Sequence, residues 1–352
     1  MSYVTHKSKR DLNFCTSYVT NVHDLLHPPN NTSTMTSAEE PPRRASLSDD
    51  HPVLAAKSQT LTTRGIECAL YKWTPPQNNN DANGKKSIRG VAVVYHGFGA
   101  HSLYPTVRYA SCLLAENGFI VYGLDFPGHG ASPGKKGLLS GAEDLIQDGI
   151  AVAKVAQKEA SSGEHGVNLP LYFVGSSMGG AIALAVADSL PEGSVNGVIM
   201  LAPMLSLKVG GTARSALGTL SSLPFLSTLP LIPHSATDSS KQYRDPERRA
   251  ECDRNTMTNK SGLRPISAFT CVEITETIQK KFSQIKVPFL CMVAEEDVVV
   301  DNSKTEELMK LSPSKDKTLK SYPALHGLLC EPAPLLGIIE DDLIQWLVKR
   351  CP

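Results

Sequence analysis

The chain has 352 residues, of which 41% are hydrophobic and 20% charged, a composition typical of a soluble globular protein with one large domain or two small ones. Its 35 basic side chains equal its 35 acidic ones, so net charge offers no attraction for nucleic acid or for an anionic membrane. No apolar run approaches the roughly 18 residues that a membrane-spanning helix needs.

The N-terminal segment differs from the rest of the chain. Residues 1–55 are rich in Ser, Thr, Asn and Pro and carry no periodic apolar face. Because such a segment buries too little apolar surface to offset its ordering entropy, we predict a disordered tail over residues 1–55.

Strands and helices alternate from residue 66 to residue 201. Residues 90–95 are almost continuously apolar, which is typical of a strand buried on both faces of a parallel sheet. The predicted elements of this part are strands over 66–73, 90–95, 119–124, 171–174 and 195–201 and helices over 105–117 and 142–159. This order predicts a mostly parallel, doubly wound α/β sheet.

The alternation breaks over residues 204–285, where apolar residues, prolines and a charged patch are mixed. We interpret this stretch as a helical cap inserted at a strand end. Strands over 287–293 and 317–322 and a closing helix over 337–349 complete the fold. The predicted organisation is a core over 56–203, a cap over 204–285 and the rest of the core over 286–352.

A serine flanked by glycines follows the strand at 171–174. Gly175, Ser177 and Gly179 match the pattern G-x-S-x-G, and an Ala- and Leu-rich helical segment begins directly afterwards. At such a strand–turn–helix junction the serine hydroxyl projects beyond the sheet edge, within reach of a base and a substrate. We therefore predict Ser177 as a nucleophile.

The same pattern occurs a second time, around Ser132. No apolar strand leads directly into this match, and Pro133 follows its serine. The residue after a nucleophile of this kind donates its backbone N–H to the oxyanion, and proline has no N–H. We therefore reject Ser132.

A nucleophilic serine needs a base to take its proton and a carboxylate to orient that base. In this kind of site the chain order is Ser, then Asp or Glu, then His. Of the ten histidines only His326 lies beyond residue 234, and it follows the last predicted strand. Asp297 follows the preceding strand, so both lie where a parallel sheet presents its ligand-facing loops. We predict Asp297 and His326 as the catalytic partners, with Asp301 and Glu295 as alternatives for the acid.

The charge that develops in acyl transfer needs two N–H donors. The predicted donors are Met178, after the nucleophile, and Phe98, in the glycine-rich loop after the strand at 90–95. The glycines of this loop let its backbone approach a substrate. The predicted substrate-binding residues are His96, Gly97, Gly99 and Leu205.

Several segments together carry a family resemblance. They are His96-Gly97-Phe98-Gly99, Gly128-His129-Gly130, residues 175–180, Leu201-Ala202-Pro203, residues 244–249, Asp297, residues 315–320 and His326. From about residue 60 to its end the chain resembles the monoglyceride-lipase (serine aminopeptidase S33-type) branch of the α/β-hydrolases, and it is most similar to the plant-type monoacylglycerol lipase and caffeoylshikimate esterase group. The resemblance implies an α/β-hydrolase fold and hydrolysis of a monoacylglycerol or similar small ester through a serine acyl-enzyme. We expect no cofactor and no metal ion.

Three positions depart from the pattern of that family. Ser176 stands before the nucleophile, where His or Gln is common, and this leaves the mechanism intact. Ala100 replaces the acidic residue that usually helps to bind a polar head group, which argues against a strong preference for glycerol. The segment from Tyr322 to His326 is one residue shorter than usual. Such a deletion either misplaces the base or is absorbed at the strand end.

The leading hypothesis is a cytoplasmic carboxylic ester hydrolase that acts on small lipid-like esters. Its apolar cap stretch at 205–232 would line an acyl tunnel and rest on membrane surfaces, giving a peripheral membrane association. The eight cysteines lack paired spacing, which favours buried thiols in a reducing compartment. The alternatives are a phenolic-ester, lysophospholipid or thioester hydrolase of the same fold, and a ligand-binding relative that captures its ligand without turnover.

Overall fold

An eight-stranded sheet organises the computed structural model, which describes residues 56–62, 64–76, 88–163, 168–234 and 238–351. The tail over residues 1–55 lies outside the described residues, so its disorder stays a prediction. The strands are β1 (Ala56–Leu61), β2 (Glu67–Trp73), β3 (Gly90–Tyr95), β4 (Phe119–Leu124), β5 (Leu171–Ser176), β6 (Gly197–Leu201), β7 (Phe289–Ala294) and β8 (Lys317–Tyr322). The described α-helices are α1 (Pro105–Glu116), α2 (Ala142–Ala160), α3 (Met178–Ser189), α4 (Gly211–Ser221), α5 (Ser239–Gln242), α6 (Pro246–Arg254), α7 (Pro265–Lys281), α8 (Thr305–Leu311) and α9 (Leu335–Val348).

The strands are ordered β1-β2-β4-β3-β5-β6-β7-β8 across the sheet. β2 pairs antiparallel with both β1 and β4, and all other neighbours pair parallel. This confirms the predicted mostly parallel sheet. Because β4 lies on one side of β3 and β5 on the other, the loops that leave β3 and β5 diverge at the carboxyl ends of these strands. A parallel sheet binds its ligands at such a point.

Helices cover both faces of the sheet. On one face α1 and α9 pack in a core that contains Leu343 and Val94. On the other face α2 and α3 pack in a core that contains Ile182 and Val93. Every residue of β3 is buried, as the apolar run at 90–95 predicted, because successive side chains of this strand enter opposite cores.

Helices α4 to α7 occupy the chain between β6 and β7, within the predicted cap. Its two ends are packed differently. α4 contains no buried residue, whereas Ile274 and Ile278 of α7 are fully buried in the same core as α3. The last helix of the predicted cap therefore packs as part of the main body, and the boundaries of the cap stay a prediction.

β1 was not predicted as a strand. Its sequence AKSQTL has no alternation of apolar and polar residues, and Lys57, Ser58 and Gln59 are exposed. β1 lies at the sheet edge and pairs only with β2, so backbone hydrogen bonds form it without an apolar face.

Arg64, in the turn between β1 and β2, forms ion pairs with two residues of α2. Its Nη2 lies 2.5 Å from Asp148 Oδ2 and its Nε lies 3.2 Å from Asp148 Oδ1. Arg64 Nη1 is 2.9 Å from Asp144 Oδ2. The Asp148 side chain is fully buried, and its burial raises the pKa of this carboxyl group while Arg64 opposes that change.

Replacement of Arg64 by Met should lower the free energy of unfolding by about 3 kcal/mol, because it leaves a buried carboxylate without its partner. The double variant R64M/D148N should recover most of this loss, since no buried charge remains. Urea unfolding at pH 7 measures both values. Equal losses in the single and double variants would contradict the ion-pair explanation.

Candidate active site

Ser177 occupies the turn between β5 and α3, with backbone dihedral angles φ 56° and ψ −120°. A residue other than glycine rarely adopts a positive φ, and such strain persists only where the surrounding structure imposes it. The flanking glycines permit the turn, because a Cβ on Gly175 would overlap the Gly179 carbonyl. A Cβ on Gly179 would in turn overlap the Tyr95 carbonyl. The structure therefore places Ser177 in a strand–turn–helix junction of the predicted kind.

Hydrogen bonds from the neighbouring strand hold this turn. The Ser177 N–H donates to the Leu201 carbonyl at the end of β6, at 3.0 Å. The Ser177 carbonyl accepts from the N–H groups of Met204 and Gly180, each at 2.9 Å. The position of the Ser177 turn thus depends on the pairing of β5 with β6.

The loops after β7 and β8 bring Asp297 and His326 into contact, with His326 Nδ1 2.7 Å from Asp297 Oδ2. Asp297 Oδ1 accepts from the N–H groups of Val299 and Val300 at 2.8 and 3.0 Å. A carboxylate oxygen beside Nδ1 is an acceptor, so Nδ1 carries the ring proton and Nε2 is left as a base. The shortened segment before His326 therefore still brings the imidazole to Asp297.

Ser177 and His326 line one narrow cavity with about 20 Å³ of free space. Among the described residues no hydrogen bond joins the Ser177 hydroxyl to the His326 ring, and such bonds often tighten only when a substrate binds. This space holds about one water molecule. The other lining residues are Gly97, Phe98, Ala100, Tyr104, Thr106, Val107, Ser176, Gln242, Tyr243 and Gly327.

His96 orients the loop that contains the first predicted oxyanion donor. Its Nε2 accepts from the Phe126 N–H at 3.0 Å, so the ring proton lies on Nδ1, which donates to the Gly97 carbonyl at 2.8 Å. This carbonyl and the Phe98 N–H belong to one trans peptide group and point in opposite directions. Fixing the carbonyl therefore fixes the direction of the Phe98 N–H.

The two predicted oxyanion donors belong to segments that both adjoin Ser177. A Cβ on Gly97 would lie 3.1 Å from the Ser177 Cβ, so the loop containing Phe98 runs against the nucleophile. Met178 is the first residue of α3, where a backbone N–H has no acceptor within its helix. The helix N-terminus also adds partial positive charge. The role of these N–H groups stays a prediction.

The four predicted substrate-binding residues differ in their surroundings. Gly97 lines the cavity, but His96 is fully buried and both of its ring nitrogens have protein partners. Leu205 is fully buried in the core beside α3. The Gly99 carbonyl accepts from the Asn259 N–H at 3.0 Å. Protein contacts hold His96 and Gly99 in the loop, and the role of these residues and of Leu205 in substrate binding stays a prediction.

Sequence reasoning missed six cavity residues: Tyr104, Thr106, Val107, Gly327, Gln242 and Tyr243. The last two come from α5 and the residue after it, inside the predicted cap. The Gly327 N–H donates to the Gln242 carbonyl at 2.8 Å, and a Cβ on Gly327 would overlap the Tyr243 ring. No motif or spacing in the sequence links this segment to Ser177.

Ser132, the serine of the second G-x-S-x-G match, has a structural role. Its hydroxyl donates to the Asp125 carbonyl at 2.5 Å and accepts from the Ala69 N–H at 2.8 Å.

The two alternatives for the catalytic acid have other hydrogen-bond partners. Asp301 accepts from the Ser303 N–H at 3.0 Å, and Glu295 accepts from the Ser321 hydroxyl at 2.8 Å.

Two histidines near the cavity are buried in the neutral form. Removal from water lowers the pKa of His96 and that of His129 to about 3. The His129 ring packs against Phe98, with ring centroids 5.7 Å apart.

In the described part of the chain, no group of three or more His, Cys, Asp or Glu side chains is placed to hold a metal ion.

Comparisons with known proteins agree with this architecture. Residues 86–333 match the family model described as serine aminopeptidase, S33. The monoacylglycerol lipase of Mycolicibacterium smegmatis is 25% identical over 292 residues, which cover 81% of this chain and 94% of that protein. The caffeoylshikimate esterase of Arabidopsis thaliana is 23% identical over 270 residues, covering 75% of this chain and 79% of that protein.

A solved structure shows the same fold. It is a soluble variant of the monoglyceride lipase from Saccharomyces cerevisiae in complex with a substrate analog, and its TM-score is 0.71. The two chains are 19% identical, and the match covers 86% of this chain and 99% of the other. The predicted α/β-hydrolase fold is therefore confirmed.

The buried neutral His129 predicts a pH dependence of stability. Its pKa is about 3 in the folded chain and 6.5 in the unfolded one, so below pH 6.5 the unfolded chain binds a proton that the folded chain does not. Because of His129, the free energy of unfolding should therefore be about 2 kcal/mol lower at pH 5 than at pH 6.5. Urea unfolding of the wild type and of His129→Gln at both pH values isolates this contribution. An equal pH dependence in the two proteins would contradict it.

Proposed function

The chain belongs to the serine aminopeptidase S33 family and is a carboxylic ester hydrolase, and we propose that it hydrolyses monoacylglycerols or closely similar lipid esters. One observation carries the proposal. The His326–Asp297 pair and the strained Ser177 turn converge on one cavity at the carboxyl ends of the parallel strands. This arrangement supports nucleophilic attack by Ser177.

In the proposed reaction His326 Nε2 takes the proton of the Ser177 hydroxyl while its oxygen attacks the ester carbonyl. Asp297 holds the Nδ1–H tautomer and stabilises the imidazolium that forms. The Phe98 and Met178 N–H groups stabilise the tetrahedral oxyanion. His326 then gives its proton to the departing alcohol. Water, activated by the same base, releases the fatty acid and restores Ser177.

Ala100 bears on the choice of alcohol. It lines the cavity and places no carboxylate there, so any glycerol group must be bound by other polar side chains such as Thr106 and Gln242. Tyr104 and Tyr243 also line the cavity. The absent carboxylate and these aromatic rings favour a phenolic ester as the second candidate substrate.

Labelling with a fluorophosphonate probe tests the catalytic serine. The wild type should be labelled, and Ser177→Ala should lose labelling together with at least about 1,000-fold in kcat/KM. Ser132→Ala is the matched control, because it removes the hydroxyl of the other G-x-S-x-G serine and should keep both properties. An unlabelled wild type would support the alternative of a ligand-binding relative.

A panel of substrates, assayed with the wild-type protein, tests which alcohol and which acyl group the enzyme prefers. The panel contains monoacylglycerols of several chain lengths, lysophospholipids, acyl thioesters and hydroxycinnamoyl esters. The proposal expects the highest kcat/KM for a monoacylglycerol. A higher value for a hydroxycinnamoyl ester would select the second candidate.

An apolar surface of the cap supports a proposed contact with membranes. Phe225 is 74% exposed and Leu231 is 51% exposed, and Leu223 and Leu226 are exposed beside them. Residues 215–233 contain no charged side chain. Among the described helices, none combines the length and hydrophobicity that crossing a bilayer requires. We therefore propose that this surface rests on the membrane interface, where a lipid ester would be extracted.

Cosedimentation with phosphatidylcholine vesicles tests this contact. The double variant F225D/L231D should bind vesicles at least about tenfold more weakly, because it places charge where apolar area would be buried. Leu61→Asp is the control, since Leu61 is 65% exposed on β1, outside the cap. Equal vesicle binding by all three proteins would refute the proposed surface.

A further inference from the structure

Arg244 joins the two loops that carry His326 and Asp297. It lies between α5 and α6, and its guanidinium contacts three groups on these loops. Its Nη2 is 2.5 Å from Glu296 Oε1, and its Nε is 3.1 Å from Glu331 Oε2. Nη2 also donates to the Pro323 carbonyl at 3.3 Å. Glu296 directly precedes Asp297, and Pro323 is three residues before His326.

The backbone on both sides of His326 is held by this same assembly. Before it, the Leu325 N–H donates to Glu331 Oε1 at 2.6 Å, and Glu331 is the carboxylate paired with Arg244. After it, the Gly327 N–H donates to the Gln242 carbonyl at 2.8 Å, two residues before Arg244. The loops also bond directly, because the Glu296 N–H donates to the Ala324 carbonyl at 3.1 Å.

We propose that Arg244 is a positioning residue that holds the His326 loop against the Asp297 loop and so sets the geometry of the catalytic pair. This inference rests on the proposed function. The segment before His326 is one residue shorter than is usual in the family. The Arg244 guanidinium, which belongs to the predicted cap, contacts this segment at the Pro323 carbonyl. Arg244 itself touches neither reacting atom.

An arginine suits this position for physical reasons. The Glu331 side chain is 1% exposed, and burial raises the pKa of its carboxyl group while the Leu325 N–H and Arg244 oppose that change. The planar guanidinium presents several N–H groups in a fixed fork, so one side chain reaches two carboxylates and a carbonyl. A lysine offers a single nitrogen and should serve less well.

Steady-state kinetics and thermal unfolding of the full chain test the proposal. Arg244→Met should lower kcat about 10- to 100-fold, because a displacement of about 1 Å at a catalytic group costs about that much, and KM should change less than about threefold. Arg244→Lys should give an intermediate kcat. Arg248→Gln is the matched control, since Arg248 lies on α6 and pairs with Glu251 of the same helix at 2.8 Å. It should stay within about twofold of the wild type.

The double variant R244M/E331Q separates positioning from stability. It removes the buried unpaired charge, and the amide oxygen of the introduced glutamine can still accept from the Leu325 N–H. The proposal expects its Tm to return towards that of the wild type while its kcat stays low. A double variant that recovers kcat together with Tm would overturn the proposal, as would an unchanged kcat in Arg244→Met.

A readout that does not depend on turnover keeps this inference distinct from the proposed function. The Nδ1–H proton of His326, hydrogen-bonded to Asp297, should give a low-field NMR signal that His326→Gln removes. In R244M/E331Q this signal should shift or broaden. A wild type that neither hydrolyses esters nor reacts with the probe would defeat the proposed function alone. An unchanged signal in the double variant would defeat the role of Arg244.

Discussion

The positive φ of Ser177 depends on the register between β5 and β6. In that register Ser176 lies opposite Leu201, whose carbonyl accepts the Ser177 N–H. A slip of one residue would remove this bond and would turn every side chain of β5 to the other face. The same turn starts α3 and therefore places the Met178 N–H beside the serine. The nucleophile and one predicted oxyanion donor are thus products of one strand pairing.

The parts of the fold that sequence predicts well are those with a strong local signal. The bounds of β3, β4 and β8 agree with the predicted strands, and continuous apolar runs mark β3 and β4. The G-x-S-x-G motif predicts Ser177. Chain order predicts Asp297 and His326, because both follow parallel strands whose carboxyl ends meet at one edge of the sheet. The pairing of His326 with Asp297 follows from that topology, although the residues are 29 positions apart.

The remaining features depend on contacts that leave no local pattern. β1 forms because its backbone pairs with β2, and its polar sequence does not indicate a strand. The orientation of the His96 ring depends on a hydrogen bond from the Phe126 N–H, 30 residues away. Tyr243 and Arg244 reach the site through tertiary packing of the cap. Residue type and spacing can place a glycine-rich loop beside a nucleophile, but they do not show which way its histidine points.

Two hydrogen bonds tie part of the predicted cap to the loop that contains Phe98 and to the residues directly after it. The Asn259 N–H donates to the Gly99 carbonyl at 3.0 Å, and the His101 ring bonds to the Asn255 side chain at 3.1 Å. Moving this part of the cap would therefore break contacts with the loop that contains Phe98. α4 has no buried residue, and the exposed apolar stretch follows it. Moving this part would therefore expose less buried surface to water than moving the part that holds Asn255 and Asn259. A movement of α4 would leave these two hydrogen bonds and the Arg244 contacts in place.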